Sequence, residues 1–338
     1  MLLRISSAVI GVLACWRVGT NTSIFPQSIT LLQYSNYSNT PIQTGSGEHV
    51  TPTALRPEQV AQYRDEGFHV ERGALSPGEV QALLDELLDV YQTCKTDPRC
   101  TRGSQWVAKP VQDIDGTFPD NPHKIWLLSY LEEIRLPFLE LAFHPRVSAI
   151  ADELVGPGTN VVETVALTKL PGITSSFRGW HQDTEYYSRW MDERRLVTVL
   201  YYLNDMDEGS AATAIVPGSH KDPLHNRADV HPQGEASNAE SSGIGQMQEQ
   251  ERWENDPRRT ILEVQAGDVA FIDSNIIHRA GGNASATSRH NIIYTYANSE
   301  MRGLDMTSSI LGSNIFPATR DGRPARDTEE YRAFRDSF

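Results

Sequence analysis

From residue 160 onward the chain is written in short runs rich in Val, Ile, Thr and Tyr: VVETVALTKL, LVTVLYYLN, ATAIVPG, TILEVQ, DVAFID and NIIYTYA, parted by Gly, Asp and Asn turns. Such runs predict strands too short to stand alone, which must pair and bury a face against a second layer. Before residue 160 the periodicity is helical. PEQVAQYRDEGFHVERG predicts a short helix followed by a strand. Ser76, Pro77 and Glu79 form a helix start, with Val80, Leu83, Leu84, Leu87 and Tyr91 on one face. Further helical patterns run over about 128–142 and 145–155, the second stopped by Gly156-Pro157-Gly158. Helices first and many strands later predict a mainly β protein, a sandwich or barrel with flanking helices.

A polar stretch at about 219–258, rich in Gly, Ser, Gln and Glu, interrupts the strands. An insertion that long inside a compact domain is expected to be a lid or a disordered loop. The start of the chain differs again. ISSAVIGVLACW (residues 5–16) is too short to span a bilayer, and no acidic residue precedes Glu48. A signal-peptide core, an organellar transit segment and a mis-assigned start codon all fit that pattern. Residues 1–54 are therefore expected as an N-terminal extension and 55–338 as the domain, in the cytoplasm or an organelle.

The formal charge of −14 excludes a nucleic-acid partner, whose phosphates need a basic face, and disfavours docking on an anionic membrane. A small-molecule substrate is the expectation. The three cysteines, Cys15, Cys94 and Cys100, include no Cys-x-x-Cys pair. Free thiols are expected rather than a disulfide framework or a zinc knuckle, with a Cys94–Cys100 bridge in an oxidising compartment as the alternative.

Gly179-Trp180-His181-Gln182-Asp183 lies between two predicted strands. In an extended backbone residues i and i+2 point to the same side, so His181 and Asp183 can meet one metal. A second imidazole is available from His278, expected at the end of a strand running through DVAFIDSNII. Two His and one carboxylate on one face of an octahedron leave three positions open, the signature of non-haem Fe(II) oxygenases. A His-x-Asp pair alone is equally well explained as a hydrogen-bonded pair at a strand end. Arg289, eleven residues past His278 and inside SRHNIIYTY, adds a guanidinium that can grip the far carboxylate of a dicarboxylate. His290 should point to the other face of that strand. His220, His225 and His231 read as exposed loop histidines, and Ser219-His220 has no nucleophile-elbow pattern around it.

These residues stand within a longer series: PEQVAQYRDEGFHVERGALSPGEV, His123-Lys124-Ile125, TKLPG (168–172), WHQD (180–183), VPGSH (216–220), AGDVAFID (266–273), and His278 through Arg289. In that order, over about residues 55–310, the chain resembles the phytanoyl-CoA dioxygenase family, which includes ectoine-hydroxylase-like enzymes. The resemblance implies a double-stranded β-helix, a jelly-roll or cupin-like core of two facing antiparallel sheets. It implies that His181, Asp183 and His278 ligate Fe(II), and that Arg289 holds the C5 carboxylate of 2-oxoglutarate. Lys124 and Lys169 match positions where the family often places a co-substrate-binding lysine; solvated surface lysines are the plainer alternative. Trp180 and Tyr186 are expected to line the site wall or to pack in the core. Ala280 stands where relatives often carry a small hydroxyl residue, which removes one co-substrate hydrogen bond.

The implied activity is that of a dioxygenase using Fe(II), 2-oxoglutarate and O₂, hydroxylating an unactivated C–H and releasing succinate and CO₂. Desaturation, cyclisation or epoxidation by the same cofactors is an alternative, as is a non-catalytic β-helix module that binds a ligand. Halogenation is disfavoured, because Asp183 occupies the place where halogenating relatives carry a small residue.

Overall fold

The computed structural model describes residues 54–96, 108–110, 116–173, 179–184, 196–222, 250–300, 316–320 and 323–324. The expected N-terminal extension, residues 223–249 of the polar insertion, Cys15, Cys100 and Tyr186 lie outside the described residues. Cys94 is buried and forms no disulfide among the described residues.

Local sequence rules account for the first elements. Helix α1, Pro57–Glu66, starts on a proline whose missing N–H costs nothing in the first turn. It ends at Gly67, whose φ of 85° is left-handed. Strand β1 follows at Phe68–Glu71. Helix α2, Pro77–Thr93, is closed at its start by a reciprocal pair: Ser76 Oγ accepts from Glu79 N at 3.3 Å, and Ser76 N donates to Glu79 Oε2 at 2.7 Å. Its buried face is Val80, Leu83, Leu87, Val90 and Tyr91.

The helix expected over 128–142 is corrected. Leu128 and Ser129 complete a strand instead. After the short strand β2, Ala108–Pro110, comes β3, Ile125–Ser129, then two short helices, α3 at Leu131–Ile134 and α4 at Leu136–Leu141. Arg135 between them is extended (φ −146°, ψ 137°), and Pro137 has no N–H to continue a helical ladder through the break. Helix α5, Pro145–Val155, ends at Gly156 (φ 98°), where the glycine stop was expected.

The strands then follow: β4 Thr159–Lys169, β5 Leu196–Tyr202, β6 Thr213–Ile215, β7 Thr260–Ile261, β8 Val269–Asp273, β9 His278–Ala280, β10 Arg289–Asn298 and β11 Phe316–Pro317. One sheet has the order β1-β8-β5-β10-β4-β3-β2, with β11 also on β4; a smaller one has the order β7-β6-β9. Among the described residues these strands all pair antiparallel. This is the double-stranded β-helix class. A second correction concerns DVAFIDSNII, which is not one strand. β8 stops at Asp273, whose Oδ1 and backbone O accept from Asn275 N and Ile276 N at 2.8 Å each, a tight turn that carries the chain to the smaller sheet. His278 therefore opens β9 rather than closing β8.

Strand alternation divides the large sheet into two faces. Val197, Val199, Tyr201, Phe271, Ile292, Tyr294 and Tyr296 pack against α2, α4 and α5 in the main core. Tyr294 OH donates to Phe138 O at 2.5 Å and Tyr296 OH to Ala142 O at 3.1 Å, satisfying carbonyls in and just after α4. The alternate residues Leu200, Tyr202, Ala270 and Ile272 face the smaller sheet, with Ile215, Leu262 and Ile276. The space between the two sheets holds the candidate site.

Candidate metal centre

His181 and His278, distant in sequence, are held by the backbone before their side chains do anything. An isolated antiparallel bridge joins them: His181 N donates to His278 O and His278 N to His181 O, both at 3.0 Å. This adds the 179–184 segment to the edge of β9, opposite the edge that pairs with β6. The imidazole centroids lie 4.3 Å apart. Asp183, two residues on, brings Oδ1 to 3.4 Å from His181 Nε2 and 3.5 Å from His278 Nε2. One donor atom from each residue falls within 4.8 Å of the others, the one such His/Cys/Asp/Glu group among the described residues.

The donor set fits a divalent cation. His181 Nδ1 meets Gly179 O at 2.9 Å, and His278 Nδ1 meets Ile276 O at 3.0 Å. A carbonyl oxygen can only accept, so each Nδ1 carries the proton and each Nε2 presents a lone pair. Two imidazole lone pairs, each within 3.5 Å of the same carboxylate oxygen, set like-signed acceptors side by side, an arrangement that a cation resolves. Asp183 Oδ2 accepts from Thr198 Oγ1 at 2.7 Å, and Thr198 Oγ1 lies 3.1 Å from Ser274 Oγ. Burial alone would raise the Asp183 pKa, but when the metal-free histidines are protonated the charges of His278 and His181, with the Thr198 hydroxyl, hold it well below the usual carboxylate range. Sequence reading missed Thr198. The signal for it is its parity on β5, with Leu200 and Tyr202, on the face turned toward the smaller sheet.

The two proposed lysines and Arg289 gather at one end of three neighbouring strands. Arg289 is directly opposite Lys169 in the β10–β4 register. Leu127 and Leu128 pair with Leu167 and Ala166, so the start of β3, next to Lys124, runs to the same end. Lys169 is buried and its Nζ donates across the gap to Gly281 O, just past β9. Burial, with a smaller contribution from the Arg279 charge, lowers its pKa to about 7. The plain surface reading of Lys169 is thereby corrected. Lys124 sits at a left-handed φ of 52° and is half-buried. Arg289 donates through one terminal nitrogen to Thr287 Oγ1 at 2.5 Å and to Ser288 O at 3.3 Å, while its Nε is buried with no partner.

Other residues divide as alternation dictates. His290 turns to the helix side, where its Nδ1 lies 2.9 Å from Thr168 Oγ1; burial lowers its pKa to about 4. Trp180 points away from His181 and Asp183 and packs with Trp253, Val216 and Ile277, so it is core, not site wall. Its indole N–H donates to Glu254 Oε2 at 3.0 Å. His220 Nε2 lies 3.1 Å from Arg64 O at the end of α1, remote from any metal role. His225 and His231 fall outside the described residues.

Comparison with known proteins gives one consistent family. The profile of Phytanoyl-CoA dioxygenase (PhyH) matches residues 63–291, more than half of the chain. The chain is 26% identical over 270 residues to phytanoyl-CoA dioxygenase domain-containing protein 1 of Danio rerio, covering 72% of this chain and 89% of that protein. It is 24% identical over 267 residues to the ectoine dioxygenase of Bordetella parapertussis, covering 77% and 80%. Among solved structures, EctD from S. alaskensis with bound Fe superposes with a TM-score of 0.56 at 16% identity, covering 74% of this chain and 79% of that one. A non-haem α-ketoglutarate-dependent carbocyclase of nogalamycin biosynthesis gives 0.54 at 20% identity, covering 75% and 88%. At these identities the structural likeness speaks for the fold. Among the described residues no helix is long and apolar enough to cross a membrane.

Proposed function

Since the chain belongs to the phytanoyl-CoA dioxygenase family, we propose that it is an Fe(II)- and 2-oxoglutarate-dependent dioxygenase that hydroxylates an unactivated C–H of a small molecule. The observation that carries this reading is the His181/Asp183/His278 triad, with both Nδ1 atoms tied to backbone carbonyls and both Nε2 atoms aimed at one carboxylate oxygen. In this reading the three residues hold Fe(II) and leave one face of its coordination sphere open. When bound, iron supplies the oxidation, coupling decarboxylation of 2-oxoglutarate by O₂ to insertion of one oxygen atom into substrate, with succinate and CO₂ released.

The protein's own contribution is binding and aim. Gly179 O and Ile276 O fix the imidazole tautomers, and Thr198 orients Asp183. Arg289, with its unpartnered buried Nε, takes the far carboxylate of 2-oxoglutarate by charge-assisted hydrogen bonds. Lys169, across the strand pair from it, adds a second cation on protonation, and Lys124 a third at the rim. The burial of Lys169 and the low exposure of the Asp183 side chain, 13%, limit water around them and strengthen each of these interactions.

Incubation of the iron-loaded protein with 2-oxoglutarate and a metabolite extract tests the reading. Succinate should form in an iron-dependent way, and one extract component should gain 16 mass units. A carbocyclase stands among the proteins of similar fold, so a loss of two mass units would show the same cofactors serving ring closure or desaturation. No succinate under any condition would favour a ligand-binding module.

A further inference from the structure

We infer that Gln250 is a positioning residue for His181, acting through the single peptide group that joins Gly179 to Trp180. The carbonyl of that peptide, Gly179 O, accepts from His181 Nδ1 at 2.9 Å. Its N–H, on Trp180, donates to Gln250 Oε1 at 2.5 Å. Gln250 Nε2 then donates to Trp180 O at 2.8 Å, so the side-chain amide holds residue 180 as a neighbouring strand would. An acceptor on the N–H end of a peptide polarises its carbonyl, and hydrogen bonds in series strengthen one another. The carbonyl in turn fixes the plane of the imidazole and makes its Nε2 a better donor to a cation.

Two further observations support the arrangement. A Cβ on Gly179 would collide with Gln250 Oε1, although the backbone there is not left-handed. The glycine is needed for the close approach of the amide rather than for its dihedral angles. Glu254, one helical turn after Gln250 and so on the same face, accepts the Trp180 indole N–H at 3.0 Å. Arg279 completes the clamp, 2.8 Å from Glu254 Oε2 and with its guanidinium 5.2 Å from the Trp180 ring centroid. The 179–181 segment is thus gripped on one side by the bridge to His278 and on the other by the helical turn 250–254. That turn is the returning end of the polar insertion, so metal affinity depends on its being docked.

The inference rests on the metal-centre reading, and Co(II) titration of the metal-free protein followed by visible absorption separates the two. Gln250→Leu keeps the volume and removes both hydrogen bonds; it should bind Co(II) about ten-fold more weakly, with altered band intensities. Gln250→Glu keeps an acceptor for Trp180 N–H and should stay within a few-fold of wild type. Gly179→Ala, which displaces the amide, should reproduce the Gln250→Leu effect, and the double variant should be no worse than either single one. Thermal unfolding in chelator should show Gln250→Leu and Gly179→Ala still folded at the temperature of the titration, with only the modest loss expected for two hydrogen bonds, so that weaker Co(II) binding reports the aim of the imidazole. Asp183→Ala should lose Co(II) outright. If it does, and Gln250→Leu or Gly179→Ala keeps the wild-type affinity and spectrum, the positioning role is wrong. Additive losses in the double variant would equally refute it. Undiminished Co(II) binding by Asp183→Ala would overturn the metal centre and the inference together.

Discussion

Lys169 offers a test that needs no substrate. Its ammonium would be buried at 6% exposure, and its pKa falls from an ordinary 10.5 to about 7, chiefly through burial. Between those two values the unfolded chain carries a proton on this side chain that the folded chain lacks. Stability must therefore rise with pH from about 7 to about 10.5, and be insensitive to this group outside that window. At about 1.4 kcal/mol per pH unit the whole window amounts to about 5 kcal/mol, and the part between pH 7 and pH 9 to about 2 kcal/mol. Lys169→Met keeps the length of the side chain and removes the titration. Urea unfolding of both proteins at pH 7, 8 and 9 isolates the effect, since every other titrating group cancels in the difference. The wild type should gain about 2 kcal/mol on the variant across that range. A second arm tests the proposed role. If Lys169 meets the 2-oxoglutarate dianion, anaerobic calorimetry at pH 8 in buffers of different ionisation heat should show uptake of close to one proton by the wild type and none by the variant. A stability difference that is flat with pH would refute the burial argument. Equal proton uptake by both proteins would take Lys169 out of the co-substrate site.

Substitutions at three further positions test the site itself. Asp183→Ala should reduce bound iron from about one per chain to a small fraction, read by metal analysis, because one of three protein ligands is gone. Arg289→Ala should keep iron but weaken 2-oxoglutarate binding by about 3–5 kcal/mol, with Arg289→Lys between, since a point charge cannot make the two-pronged grip; affinity within a few-fold of wild type would misplace the co-substrate. Thr198→Val removes the hydroxyl on Asp183 without changing volume, and iron affinity should fall about ten-fold or more while the melting temperature of the metal-free protein changes little.

The parts of this fold that were legible in the sequence are those set by near neighbours. Ser76 and Glu79 close a helix start across three residues, and Gly156 ends a helix by its own backbone freedom; neither needs the rest of the chain. The strand-rich half was legible because β-branched runs cannot hide. What was lost depended on tertiary partners. Leu128 and Ser129 fit a helical pattern but pair with Ala166 and Val165, which only the assembled sheet supplies. In DVAFIDSNII the apolar residues on both sides are buried, and the polar Asp273-Ser274-Asn275 between them signals a turn without showing that the chain leaves one sheet for the other. In the site, the three candidate ligands could be named from residue type and order. Thr198 and Gln250 could not, because a threonine on a strand and a glutamine in a polar stretch carry no chemistry of their own. Their meaning comes from what they touch.

The bridge between His181 and His278 has a consequence for folding. Strand side chains alternate with a period of two, so a slip of one residue in this pairing would turn one imidazole to the opposite face and leave the cation with half its nitrogen donors. The pairing closes a long loop, and such non-local contacts form late because chain entropy opposes them until the rest of the sheet is in place. A chain that has collapsed with most of its helices and strands formed, but with this one edge out of register, would look native to circular dichroism and yet not capture metal. Metal uptake thus reports a single inter-strand register, and during refolding it should appear with the slowest phase.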